Sequence, residues 1–153
     1  MQVPPWVIAF IIFLIVYILV RELLRRYYNA KFEGFFNTAH YEEALGALNA
    51  LPARVTMTTY QQYRRRFLCY EAMDDTEMAK RMIELLVRMR GGAKRQVEAL
   101  ALGFNYYVQI GEKDRAKELL AQLKSCKNVS EALVNDCQLT YEIVFKKRYD
   151  YID

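Results

Sequence analysis

Three consecutive arginines, Arg64, Arg65 and Arg66, stand between Tyr63 and Phe67 and form the densest basic cluster of the chain. Basic side chains beside aromatic ones are the type that meets phosphates, in nucleic acid or at a lipid surface. On a helix, however, three successive positions spread over about 200° of the surface. They cannot converge into one patch, and Glu71, Asp74 and Asp75 follow within the next turns. The cluster reads as a solvated face, with anionic lipid or an acidic partner as the alternative. His40 is the single histidine, and its spacing to Glu43 suits a helix start. One histidine with three scattered cysteines, Cys69, Cys126 and Cys137, supplies no ligand geometry for a metal. The cysteines include no CxxC pair and fit a reducing compartment. Gly91-Gly92-Ala93-Lys94 lacks the Walker spacing and reads as a linker that ends a helix rather than a phosphate cradle. Ser125 and Ser130 lie in or beside a turn with no second histidine to activate them. The expectation is a chain that is not an enzyme, with no cofactor, no metal and no small-molecule substrate.

The elements that carry these residues differ sharply in composition. Hydrophobic residues make up 54% and charged residues 26% of the 153 positions, with a mean hydropathy of -0.10. The apolar excess lies at the front, because residues 1–20 contain no Asp, Glu, Lys, Arg or His. The remainder is close to balanced at a net charge of +4, too mild for a dedicated nucleic-acid binder. Pro4 and Pro5 suit a helix start, since the first turn needs no amide donor from proline. From Pro5 to Val20 the run measures roughly 24 Å as helix, against a hydrocarbon core of about 30 Å, and Leu23 and Leu24 extend it. Twelve Val, Ile, Leu or Phe residues between Val7 and Val20 favour insertion by several kcal/mol, at roughly 0.3–0.6 each near the centre. A cleaved signal peptide would carry a positive start and a small-residue cleavage site; here the start is uncharged and the run ends in Arg21-Glu22-Leu23-Leu24-Arg25-Arg26. Residues 1–26 are therefore expected to be an uncleaved signal-anchor with a basic flank, touching lipid through residues 5–24. Arg21, Arg25, Arg26 and Lys31 all follow the span, which predicts an outside N-terminus and a cytoplasmic C-terminal domain.

Beyond the anchor, apolar residues recur at three- and four-residue intervals. Turn-like interruptions fall at residues 37–40, 52–56, 74–75, 91–92, 111 and 127–129. Ala44, Ala79 and Ala116 are 35 and 37 residues apart, inside the window of about 20–50 that marks helical arrays. Other positions then agree. Tyr28, Tyr63 and Leu100 precede the alanines by 16 residues, Phe32, Phe67 and Phe104 by 12, and Phe35, Tyr70 and Tyr107 by 9. Leu48, Ile83 and Leu120 follow by 4, and Leu51, Leu86 and Leu123 by 7. Two antiparallel helices per unit explain the pattern: bulky residues stripe the first, the alanine lets the second approach, and the following aliphatics pack between units. Repeats are expected at residues 27–52, 58–90 and 94–125. A cap follows at 130–153, where Leu133, Cys137, Tyr141 and Val144 share a face. The closing KKRYDYID reads as the entry into a further second helix, so that the chain either is cut short or completes its cap there.

These residues resemble the tetratricopeptide repeat. The third unit matches best, through Leu100, Gly103, Tyr107, Gly111, Ala116, Leu120 and the stretch GEKDRAKELLAQL; the first matches through HYEEALGAL and the second through TEMAKRMIELL, with Asp74 in place of a turn glycine. The resemblance covers residues 28–123. It implies an all-α chain, a transmembrane helix followed by a right-handed solenoid of three helix pairs plus a capping helix. It also implies a partner-binding groove lined by first helices, at Asn29, Glu33 and Phe36, at Gln61, Arg64, Leu68 and Glu71, and at Glu98, Ala101, Asn105 and Val108. Family members that clamp a terminal carboxylate use asparagine where Glu33 and Leu68 stand, and lysine where Gln61 and Glu98 stand, so a clamp for chaperone tails is not expected.

The function that follows is a membrane-tethered adaptor or scaffold that binds a partner peptide or helix at the cytoplasmic membrane face. The competing expectation is a structural or assembly subunit of a secretion, import or envelope complex, held by its transmembrane helix. No GxxxG lies in the span, which favours the adaptor.

Overall fold

A computed structural model describes residues 4–127 and 129–146. Among these the chain is all helical: α1 (Pro5–Asn37), α2 (Tyr41–Asn49), α3 (Leu51–Thr56), α4 (Thr59–Ala72), α5 (Thr76–Arg88), α6 (Ala93–Gln109), α7 (Lys113–Ser125) and α8 (Glu131–Lys146). The chain divides into two compact units, Met1–Ala79 and Lys80–Asp153, so the division falls within α5.

In the first unit α1 runs for 33 residues, opened by proline as the Pro4-Pro5 pair leads one to expect. Its N-terminal part is exposed from Ile8 to Val20, and an apolar window inside it has no buried residue. One helix is thus long and apolar enough to cross a membrane. The same helix ends inside a core, where Phe32 packs with Ala44, Leu48, Ala53, Met57 and Cys69, and with the partly buried Tyr28, Phe35 and Phe36. Helices α2 and α3 pack against α1, and α4 against α2.

In the second unit α6 lies against α7, and both meet α8. Gly103 lets the α6 backbone close in: a Cβ there would stand 3.1 Å from Leu119 Cδ1 and 3.4 Å from both Ile83 Cγ1 and Val87 Cγ2. Of the residues expected to seal the end, Cys137 and Tyr141 are buried, whereas Val144 is exposed. The last residues of the expected cap, 147–153, lie outside the described residues, as does Asn128 of the expected turn.

The repeat spacing has a direct backbone counterpart. Ala44, Ala79 and Ala116 are fully buried, as are Phe67 and Phe104, and Phe32 nearly so. Five residues before each alanine the backbone turns left-handed, at Ala39 (φ 59°), Asp74 (φ 60°) and Gly111 (φ 78°). Each of these amides donates to the carbonyl three residues back, Phe36, Glu71 and Val108, at 3.1 Å. The next amides, of His40, Asp75 and Glu112, donate to Phe35, Tyr70 and Tyr107 at 2.9 Å. This is the same helix-ending turn made three times, its six-to-one bond landing on the aromatic nine residues before the alanine.

Three expectations need correction. Residues 52–56 are not a turn: proline is tolerated in a first helical turn, so Pro52 sits within α3 rather than ending structure. The break falls at Ala50, whose extended ψ of 137° separates α2 from α3. Leu51 therefore leaves the pattern. It is 74% exposed where its counterparts Leu86 and Leu123 are buried, because the second helix of the first pair stops before reaching it. Nor does the His40 side chain cap α2. Its Nδ1 turns back to Thr38, 2.8 Å from the carbonyl oxygen and 3.0 Å from Oγ1.

Candidate interaction surfaces

In the first unit the three arginines part company. Helix α4 opens on a capping box, in which the Gln61 amide donates to Thr58 Oγ1 and the Thr58 amide to Gln61 Oε1. One turn later Arg64 is exposed, Arg66 donates to Asn49 Oδ1 at 3.0 Å, and Arg65 turns inward. Arg65 Nη1 donates to Asn29 Oδ1 at 2.6 Å, Nη2 lies 3.7 Å from Glu33 Oε1, and the guanidinium stands 4.8 Å from the Phe32 ring centre. Burial lowers the Arg65 pKa and the Glu33 carboxylate works against that. Asn29 and Glu33 are thereby engaged with Arg65, and Gln61 with the start of α4. Phe36 stacks on Phe32 at 5.6 Å and meets Tyr41 edge-on at 5.4 Å, within the packed cluster. The remaining positions of this set, Arg64, Leu68 and Glu71, lie along α4 at spacings of four and three, one face of a helix. Burial raises the Glu71 carboxyl above its ordinary range.

In the second unit Glu98, Ala101, Asn105 and Val108 share a side of α6 that adjoins the stripe of Leu100, Phe104 and Tyr107. Glu98 and Asn105 are exposed, while Ala101 and Val108 are half-buried. The buried side ends in a polar clasp that no sequence motif announces. Glu84 accepts from Arg115 Nε at 2.8 Å and Nη2 at 2.7 Å and from the Tyr107 hydroxyl at 2.8 Å, while Arg115 Nη1 reaches Glu118 at 2.5 Å. Burial pushes the Glu84 pKa up, but the bonds from Arg115 and Tyr107 outweigh it and hold the carboxyl below its ordinary value. Its hydrogen bond to Glu84 raises the Arg115 pKa in turn. A Lys80–Glu112 ion pair also ties α5 to the turn before α7.

A second feature of this unit is a basic groove of about 400 Å³ between α7 and α8. Lys113, Lys117, Lys124 and Lys146 surround Leu120 and Tyr141 there. Lys124 donates to Gln138 at 2.6 Å, and Lys146 lies 3.5 Å from Glu142. The i, i+4, i+11 spacing of Lys113, Lys117 and Lys124 would have disclosed this stripe in the sequence. Among the described residues no group of three or more His, Cys, Asp or Glu could hold a metal ion. Comparison with family models, with curated proteins and with solved structures gives no match.

Proposed function

We propose that the chain is a single-pass membrane adaptor, in which α1 spans the bilayer and residues 27–153 form a tetratricopeptide-like solenoid that holds a partner peptide or helix. The observation that carries this reading is α1 itself. A run with an exposed apolar surface, fit only for lipid or other helices, continues without a break into a helix that buries Phe32 in a packed core. Tethering of that kind raises the effective concentration of partners at the membrane. The three identical left-handed turns support the repeat assignment, since a repeated hairpin is what tetratricopeptide units share. The basic flank of Arg21, Arg25 and Arg26 supports a cytoplasmic repeat domain.

Partner contact is assigned to the faces left open on the first helices: Arg64, Leu68 and Glu71 on α4, and Glu98, Ala101, Asn105 and Val108 on α6. A photocrosslinker placed at Arg64 or Asn105 in native membranes should trap the same partner from both positions. Adducts forming equally well from Lys117, on a second helix, would count against this assignment. Replacing residues 5–20 by an unrelated anchor should leave capture intact; loss of capture would instead identify a subunit held by its span. Topology is tested at Cys126, the half-exposed thiol. A membrane-impermeant maleimide should label it in opened vesicles and not in intact cells.

A further inference from the structure

The exposed Leu51 and the short helix α3 raise a question that the adaptor reading leaves open. Helix α3 lies against α1 beside the last two turns of the apolar run, and between them runs a groove of about 420 Å³. Its walls are Tyr17, Val20 and Leu24 on α1 and Leu51, Pro52 and Val55 on α3, so its lining is almost wholly apolar. Ala53 and Thr56 fix α3 by turning inward, which directs Leu51 and Val55 outward, at 74% and 66% exposure. Beside the groove, along the same turns of α1, is a smaller niche lined by Ile18, Arg21, Glu22, Arg25 and Thr56; Arg21 and Thr56 line both. Glu22 is engaged by Arg25 at 3.0 Å and Arg26 at 3.1 Å rather than by Arg21.

An apolar groove flanked by Arg21 and Arg25 suits a phospholipid, with the acyl chain against the apolar walls and the phosphate beside the arginines. One of its walls is also a lipid-facing surface, because the exposed apolar side of α1 continues directly into Tyr17, Val20 and Leu24. Apolar residues at such a boundary commonly sit about 5–10 Å into the headgroup and acyl region. We propose that this groove seats one acyl chain of an anionic phospholipid from the leaflet next to the repeat domain, with its phosphate over Arg21 and Arg25. The assignment rests on α1 spanning the bilayer, and α3 then acts as a foot of the first unit set into the membrane surface.

The test uses the full chain with its one tryptophan removed as Trp6→Phe. It is reconstituted into vesicles of phosphatidylcholine and phosphatidylglycerol whose chains are brominated either near the headgroup or near the methyl end. Single tryptophans are introduced separately as Leu51→Trp, Val55→Trp, Leu19→Trp and Ile12→Trp, all at exposed positions that leave the core intact. At Leu51 and Val55, bromines near the headgroup should quench more than bromines near the methyl end, with at least half the loss seen at Leu19. Quenching should be stronger when the bromines are on phosphatidylglycerol, and adding Arg21→Gln should remove that preference. Quenching at Ile12 without quenching at Leu51 or Val55 overturns the groove assignment and leaves the span standing. No quenching at Ile12 overturns the span, and the groove assignment with it. Quenching at Leu51 and Val55 that emerges only as protein is diluted into lipid assigns the groove to a second copy and overturns the proposal.

Discussion

Ala39 and Asp74 hold the left-handed turn conformation that Gly111 adopts in the third pair, and a Cβ there costs roughly 1–2 kcal/mol. Ala39→Gly should therefore stabilise the protein by about 1 kcal/mol and Gly111→Ala should destabilise it by a similar amount; urea unfolding in detergent measures both. Glu84 supplies a pH dependence. Its folded pKa is depressed, so its contribution is present above the unfolded value of 4.5 and is lost as pH falls through the folded value. Glu84→Gln should be less stable than the parent at neutral pH, with the difference narrowing below pH 4.5 in unfolding series. Thiol reactivity should also separate: burial lifts Cys69 to about 11 and raises Cys137, and both are buried, so a maleimide should modify Cys126 in the native state and the other two only on unfolding. The buried alanines and phenylalanines were legible because helical periodicity alone separates inward from outward positions. Arg65 was not. Which of the three arginines turns to Asn29 depends on how α1 and α4 pack, which helical periodicity alone does not fix.

At the scale of elements, sequence signals worked where glycine or polar residues interrupt the apolar periodicity and failed where one residue type serves two purposes. The interruptions at 37–40, 74–75, 91–92 and 111 all separate helices in the structure. Pro52 misled, because proline is at home both in turns and in the first turn of a helix, and here it opens α3. The capping box that starts α4 is carried by Thr58 and Gln61, so Gln61, a groove position by resemblance, is held at the helix start instead. Thr58→Ala should cost about 1 kcal/mol in the unfolding free energy. Packing of α6 depends on a missing side chain: Gly103 faces Leu119, Ile83 and Val87, all of them buried and unable to withdraw. Gly103→Val should overpack that contact and cost about 1–3 kcal/mol, read from the same unfolding curves.

For the whole molecule, the partition between an uncharged front and a balanced remainder was plain from composition, and the structure puts the uncharged part on one exposed helix surface. Which surfaces would receive a partner is suggested only by the resemblance; in the first unit Asn29 and Glu33 are engaged with Arg65 and Gln61 with the start of α4, and in the second Glu98 and Asn105 are exposed. Between Trp6 and Phe32 α1 contains neither proline nor glycine, so it has no joint at which to bend. Such a rod is a lever. In a bilayer thinner than the roughly 30 Å that the run from Pro5 to Leu24 measures, α1 would lean, and over the roughly 39 Å between those residues a lean of about 10° would carry the far end sideways by roughly 7 Å. The aromatic core around Phe32 would travel with it, and the same protein would present its first helical pair at a different height and angle in a thin membrane than in a thick one.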